Sequence, residues 1–183
     1  MLIILVSAIV LTPLMIFTFL VVKLTSKGPA IYWSQRVGVN NQLFDMPKFR
    51  SMKIDTPTLA THLLNQKGNA KMYLTPVGGF IRKFSLDEIP QLWSVLKGDM
   101  SIVGPRPALF NQKDLIELRA KYGVDKLRPG ITGWAQVNGR DEIPIPKKVE
   151  LDVYYLTHQS LVFDCYIILL TVLKVLKRDN VSH

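Results

Sequence analysis

Two adjacent carboxylates, Asp87 and Glu88, lie between basic residues at Arg82 and Lys83 and a stiff Pro105-Arg106-Pro107 turn. Acids flanked by arginines suit chemistry on a phosphate: a carboxylate can attack or hold a metal, and guanidinium groups neutralise phosphoryl oxygens. Neighbours on a helix point roughly 100° apart, so the two acids cannot act as one face-to-face pair. A division of labour follows, with one carboxylate as nucleophile and the other holding a hard cation such as Mg²⁺ against a diphosphate. A structural reading stands beside it. Ser85-Leu86-Asp87-Glu88 fits a helix-capping box, with acids in a first turn, and Pro90 weakens that fit by removing a backbone donor.

The elements that must position these acids are bounded by composition. A chain of 183 residues fits one domain with a modest core. Hydrophobic content is 48% and mean hydropathy is +0.19, although 20% of residues are charged. Apolar residues are therefore concentrated in a few segments. Twenty-three basic against 14 acidic residues give a net charge of +9, which favours an anionic partner: lipid head groups, a nucleotide diphosphate or nucleic acid. The single cysteine, Cys165, excludes an intramolecular disulfide and a cysteine zinc site.

Residues 1–22 are almost unbroken apolar sequence, and roughly 20 residues at 1.5 Å each just cross a hydrocarbon core. Pro13 removes the amide that would bond the carbonyl of Ile9, and Thr12 can satisfy part of the freed backbone. A kinked span and a helix that enters and leaves by one face both fit, and the physics alone favours the span. The Lys and Arg residues that follow place the next segment in the cytoplasm.

Ala30–Trp33 and Phe44–Met52 read as extended segments around the polar turn Gly38-Val39-Asn40-Asn41. Lys48 and Arg50 would then share a solvated face with Phe49 inward. Residues 54–74 read as a connection carrying a short helix over Thr58–Gln66. Ala108–Tyr122 has helical character with Leu109, Leu115, Ile116 and Leu118 inward, and Gly123 suits its stop. In the glycine-rich run from Pro129 to Arg140, Gln136, Asn138 and Arg140 alternate. In extended form they would share a face able to read a base or sugar edge, and a plain strand with Trp134 in the core is the alternative. A helix begins near Lys147. The greasy run from Ser160 to Arg178 fits an interfacial helix or a core helix, with Lys174, Lys177 and Arg178 able to snorkel.

Taken together, Lys48-Phe49-Arg50-Ser51-Met52, Ser85–Leu92, Lys97-Gly98-Asp99-Met100-Ser101, Gly104–Pro107, Pro129–Arg140 and Asp152-Val153-Tyr154-Tyr155 resemble the bacterial sugar transferase family, the monotopic phosphoglycosyl transferases. The resemblance covers essentially the whole chain in order. It implies transfer of a sugar 1-phosphate from a UDP-sugar to polyprenol (undecaprenyl) phosphate with release of UMP, at the head of bacterial glycan assembly and upstream of further glycosyltransferases. Asp87 would be the nucleophile, forming an aspartyl phospho-sugar, and Glu88 would bind Mg²⁺. Arg106 would hold a substrate phosphate, and Arg82, Lys48, Arg50, Gln136 and Arg140 are the further candidates for substrate contact.

The implied fold is α+β and mainly helical: a small cytoplasmic domain on a proline-kinked, re-entrant membrane helix, with interfacial amphipathic helices. Residues 1–23 would form that helix, broken at Thr12-Pro13, and residues 24–183 the catalytic domain. The expected location is the cytoplasmic face of the bacterial inner membrane. Family members begin with a basic amphipathic stretch ahead of the apolar helix, and this chain starts directly in the apolar run. A truncated, minimal catalytic form is the expectation. Two other readings use the same residues: a membrane-bound, metal-dependent diphosphate hydrolase, and a basic membrane adaptor. Nucleic acid is not an expected partner, because no stripe of Lys/Arg interleaved with aromatics is present.

Overall fold

The computed structural model describes residues 2–57, 70–139 and 143–176. The short helix expected at Thr58–Gln66 lies outside them, as do Arg140, Lys177 and Arg178. The described residues are mainly helical with two small sheets, and the chain divides into two compact units. The first takes the chain through Ser34 and from Met46 to Leu96, and the second takes Gln35–Asp45 and the chain from Lys97 onward.

The first unit starts with helix α1, Leu2–Thr25. Its helical run continues through Pro13 without interruption. An apolar helix needs only a stripe to bury itself, and here Met15, Thr18 and Val22 supply one at helical spacing. The Thr18 hydroxyl, buried in that stripe, donates to the Leu14 carbonyl at 2.8 Å and so carries no unmet polar group into the core. Thr12 and Pro13 are exposed, and so are Ile16, Phe17, Leu20 and Leu24. Among the described residues, no helix is long and apolar enough to cross a membrane.

Strands β1, Ile31–Val37, and β2, Leu43–Phe49, pair as a hairpin around a single 3-10 turn, Val39–Asn41. Asn40 and Asn41 adopt positive φ there, which a short polar side chain tolerates. The polar turn and its flanking extended segments thus form as the sequence implies. Val22, Ala30, Phe49 and Ile81 make the unit's core, with Val77 and Leu86 packed against it. Helix α2, Gly78–Lys83, begins where Gly78 sits against the Ser51 carbonyl; a Cβ there would meet that oxygen at 2.0 Å. After a 3-10 turn, Leu86–Gln91, helix α3 runs over Leu92–Lys97.

The second unit is built on a parallel pair, β3, Ser101–Val103, and β4, Gly130–Thr132, in register Ser101 to Gly130 and Val103 to Thr132. Helix α4, Lys113–Lys121, lies between them in sequence, as a parallel connection requires. It ends at Tyr122 with Gly123 at φ +74°, the left-handed stop that its glycine suits. Leu115 is buried and Ile116 and Leu118 are partly so, the face expected.

Two glycines of the Pro129–Arg140 run allow a close backbone approach: Cβ atoms on Gly130 and Gly133 would fall 2.2 and 2.0 Å from the backbone of Gly104. Helix α5, Trp134–Val137, follows at once, then α6, Ile145–His158, and α7, Leu161–Leu176. Val103, Val137, Tyr155 and Ile167 form one core cluster, and Ala108, Leu115 and Val149 another.

Candidate active site

The acid pair sits on the 3-10 turn Leu86–Gln91, with Asp87 and Glu88 in its first turn. Ser85, which precedes it, has φ +55° and ψ +23° and makes no side-chain capping bond. A capping residue takes extended backbone and turns its hydroxyl onto the turn's amides, so the capping-box reading of Ser85 does not hold. Ser85 instead bends the chain so that the acids leave the end of α2. Such a conformation costs an L-residue energy and persists only where its surroundings impose it.

Those surroundings are visible. Leu86 packs on the Phe49–Ile81 core, while Pro90 and Gln91 are buried at the other end. Between these two anchors Asp87 and Glu88 are only partly covered. The Lys48 ammonium lies 3.2 Å from Glu88 Oε1, with side chains 14% and 22% exposed. The contact is a single point, because an ammonium is not a bidentate fork, and it exchanges more readily than a two-nitrogen guanidinium grip. Arg82 is half-buried on the last turn of α2.

Arg50 departs from the expected open strand face. Strand β2 ends at Phe49, so the alternation stops there, and the Arg50 guanidinium is buried. Its Nη2 donates to the Ser26 carbonyl at 3.0 Å and the Ser26 hydroxyl at 2.8 Å, just beyond the C-terminus of α1, where a cation suits the helix dipole. That geometry ties Arg50 to the end of the apolar helix.

In the second unit, Arg106 is half-buried in the Pro105-Arg106-Pro107 turn. Its carbonyl accepts from Arg119 Nη1 at 2.8 Å, and the neighbouring Pro107 carbonyl accepts from Arg36 at 3.2 Å. Arg119 also meets Asp152 through Nε and Nη2 at 2.9 and 2.7 Å, almost wholly buried. Burial pushes the Asp152 carboxyl up, against the pull of the Arg119 guanidinium. This pair, which fixes the arginine-bearing turn to α6, is the feature that reading the sequence missed. Its one signal was an aspartate in the middle of an apolar helix face.

Gln136 and Asn138 do not share an extended face. Trp134–Val137 is helical, and the side-chain amides turn inward on their own segment: Gln136 Nε2 donates to Ile131 and Asn138 Nδ2 to Trp134, each at 2.8 Å. Trp134 is partly buried in an aromatic cluster, stacked on Tyr154 and tilted onto Phe163. Arg140 lies outside the described residues.

Helix α7 is apolar on its open face as well as on the face that buries Ile167. Leu161, Val162, Leu169, Val172 and Leu173 are exposed, while Asp164 accepts a 2.8 Å bond from Tyr155 and Lys174 donates to the Val137 carbonyl. Lys174 therefore caps a backbone group of its own unit instead of reaching outward.

Among the described residues, no group of three or more His, Cys, Asp or Glu gathers as a metal cage. Glu88, partly covered on its turn, is nevertheless a hard-oxygen donor of the kind that holds Mg²⁺ together with substrate phosphates.

Acids on an anchored turn with Lys48 on one of them suit chemistry on a phosphate, and comparison with known proteins gives the family. The family model for bacterial sugar transferases matches residues 1–178, and the chain belongs to that family. It is 41% identical over 174 residues to an uncharacterised sugar transferase of Bacillus subtilis, covering 93% of this chain and 81% of that protein. It is 39% identical to the undecaprenyl-phosphate galactose phosphotransferase of Salmonella typhimurium, over 94% of this chain and 38% of the other. It is 40% identical to the UDP-glucose:undecaprenyl-phosphate glucose-1-phosphate transferase of Escherichia coli, over 90% and 36%. The chain thus spans well under half the length of these last two.

Proposed function

We propose that this protein transfers a sugar 1-phosphate from a UDP-sugar to undecaprenyl phosphate and releases UMP. The observation that carries the proposal is the anchored turn bearing Asp87 and Glu88, with Lys48 on Glu88, in a chain belonging to the sugar transferase family. A carboxylate oxygen of Asp87 attacks the phosphorus that carries the sugar, and the bond from that phosphorus to the UMP oxygen breaks. UMP leaves with the electron pair. An oxygen of the lipid phosphate then attacks the same phosphorus, the bond to Asp87 breaks, and the free carboxylate returns. The product is a polyprenyl diphosphate sugar.

Lys48, Arg82 and Arg106 neutralise phosphoryl oxygens during both displacements. Glu88 would hold Mg²⁺, which when bound supplies charge neutralisation at the diphosphate. Gln136 and Arg140 contact the nucleotide or sugar in this scheme, which for Gln136 requires its amide to leave Ile131.

A lipid acceptor keeps its chain in the bilayer, so the enzyme works at the membrane surface, on the cytoplasmic side of the inner membrane. The exposed apolar faces of α1 and α7 and the net charge of +9 support that placement. In it α1 enters and leaves by one face, bending near Thr12-Pro13. Downstream glycosyltransferases would extend the lipid-linked sugar.

The test is UMP release from a panel of UDP-sugars by the wild type and Asp87→Asn, with and without undecaprenyl phosphate and Mg²⁺. Sustained release that needs lipid, metal and Asp87 is expected, with no more than one equivalent of UMP per protein when lipid is absent. Repeated release without lipid would make the protein a diphosphate hydrolase instead.

A further inference from the structure

Gln91 is a buried polar residue that the chemistry above leaves unused. Its side chain is 2% exposed, and its amide nitrogen Nε2 is buried with no hydrogen-bond partner. A buried donor without an acceptor forfeits its hydration for nothing, and native folds seldom keep one without a reason. An apolar side chain of the same length would fill the space without that cost.

Its place in the chain supplies a reason. Gln91 ends the 3-10 turn whose first residues include Asp87 and Glu88. With three residues per turn, positions three apart eclipse, so Gln91 stands along the same edge of the turn as Glu88. Glu88 meets Lys48 at 3.2 Å through one oxygen, Oε1. Lys48 is also a cation that an incoming phosphate would attract.

We infer that Gln91 is a positioning residue for the transfer: as the anionic substrate draws Lys48 off Glu88, the Gln91 amide donates to the Glu88 carboxylate and holds it in place. The inference rests on the transferase reading above. It gives the unpartnered amide an acceptor in the loaded protein and explains why a donor is kept where packing alone would prefer an apolar residue.

The experiment compares wild type, Gln91→Met, Glu88→Gln and the double variant in the full chain, by thermal melt and by UMP release with a UDP-sugar, undecaprenyl phosphate and Mg²⁺. Gln91→Met should melt at or above the wild-type temperature while kcat falls by about tenfold or more, the loss expected for one hydrogen bond to a charged group. The donor KM should change little. In the Glu88→Gln background the same substitution should cost almost nothing further, because Gln91 acts through Glu88.

An unchanged kcat in Gln91→Met, with the wild type active, would overturn the inference and leave the transferase reading intact. So would fully additive losses, or a melt lowered in step with activity. If Gln91→Met does not fold, Gln91→Asn, which withdraws the amide by one methylene, is put through the same cycle. A wild type inactive on every donor would remove both readings.

Discussion

Two carboxylate–cation pairs in this protein share their chemistry and differ in their setting. Lys48 touches Glu88 at one point, with side chains 14% and 22% exposed. Arg119 grips Asp152 with two nitrogens and spends a third on the Arg106 carbonyl, almost out of reach of water. The first pair is held at one point by an ammonium, so a competing anion would displace it at less cost than it would the second. The second is closed: its ions lost their hydration on folding, and removing either leaves the other uncompensated. Charged residues become a site where their partners are replaceable and become scaffold where they are not.

The largest effects should separate these roles. Asp87→Asn is expected to lower kcat by at least about a thousandfold while the melt stays near that of the wild type, since loss of a nucleophile removes a step and little packing. UMP release and a thermal melt on the same preparation check it. Asp152→Ala should do the reverse, with about 3–5 kcal/mol lost in urea unfolding and activity falling only with the folded fraction. Replacing both partners, Arg119→Met with Asp152→Leu, should recover most of that stability. If the double replacement were as unstable as the single one, the pair would be more than a buried charge problem.

Smaller effects sharpen the exposed side of the comparison. Lys48→Ala should change stability by less than about 1 kcal/mol and lower kcat/KM for the donor by about tenfold or more. Steady-state kinetics with varied UDP-sugar measures the second quantity; a stability loss without a kinetic one would move Lys48 to the scaffold. Ser85→Gly relieves the positive φ and should leave stability within about 1 kcal/mol of wild type, whereas Ser85→Val should lose about 1–2 kcal/mol. Both are read from denaturant midpoints.

The smallest effect concerns Tyr155. Burial first, and then its bond to the Asp164 carboxylate, push the phenol above its ordinary value of 10.0. The unfolded chain therefore loses this proton first as pH rises. The associated stability is whole below pH 10 and declines above it, by up to about 1.4 kcal/mol per pH unit for one group. Tyr155→Phe should flatten that part of the curve. Melts at pH 9 and 11 would show it, and equal slopes in the two proteins would remove Tyr155 as the cause.

What could be read from the chain beforehand followed local rules. The hairpin was legible because a polar turn separates two extended runs, and α4 because its apolar spacing ends at Gly123. The acid pair stands out by residue type and adjacency, and the structure sets both acids on one partly covered turn. Gln136 and Asn138 were misread because alternation implies a shared face only in a strand, and the chain turns helical directly after Gly133. Ser85 was misread because a serine three residues before a glutamate says nothing about its own φ. Arg119 and Asp152 stand 33 residues apart with no spacing rule to join them, and the same holds for Arg50 and the end of α1. Long-range satisfaction of buried charge is a property of the fold, not of any window of sequence.

The central claim is that Asp87 carries the sugar phosphate between donor and acceptor. It is tested most directly by incubating the protein with a UDP-sugar and no lipid, quenching, digesting and weighing the peptides. The account requires a phospho-sugar on the peptide containing Asp87, lost when undecaprenyl phosphate is added and never formed in Asp87→Asn. An unmodified peptide in a protein that turns over, with sequential kinetics, would contradict it.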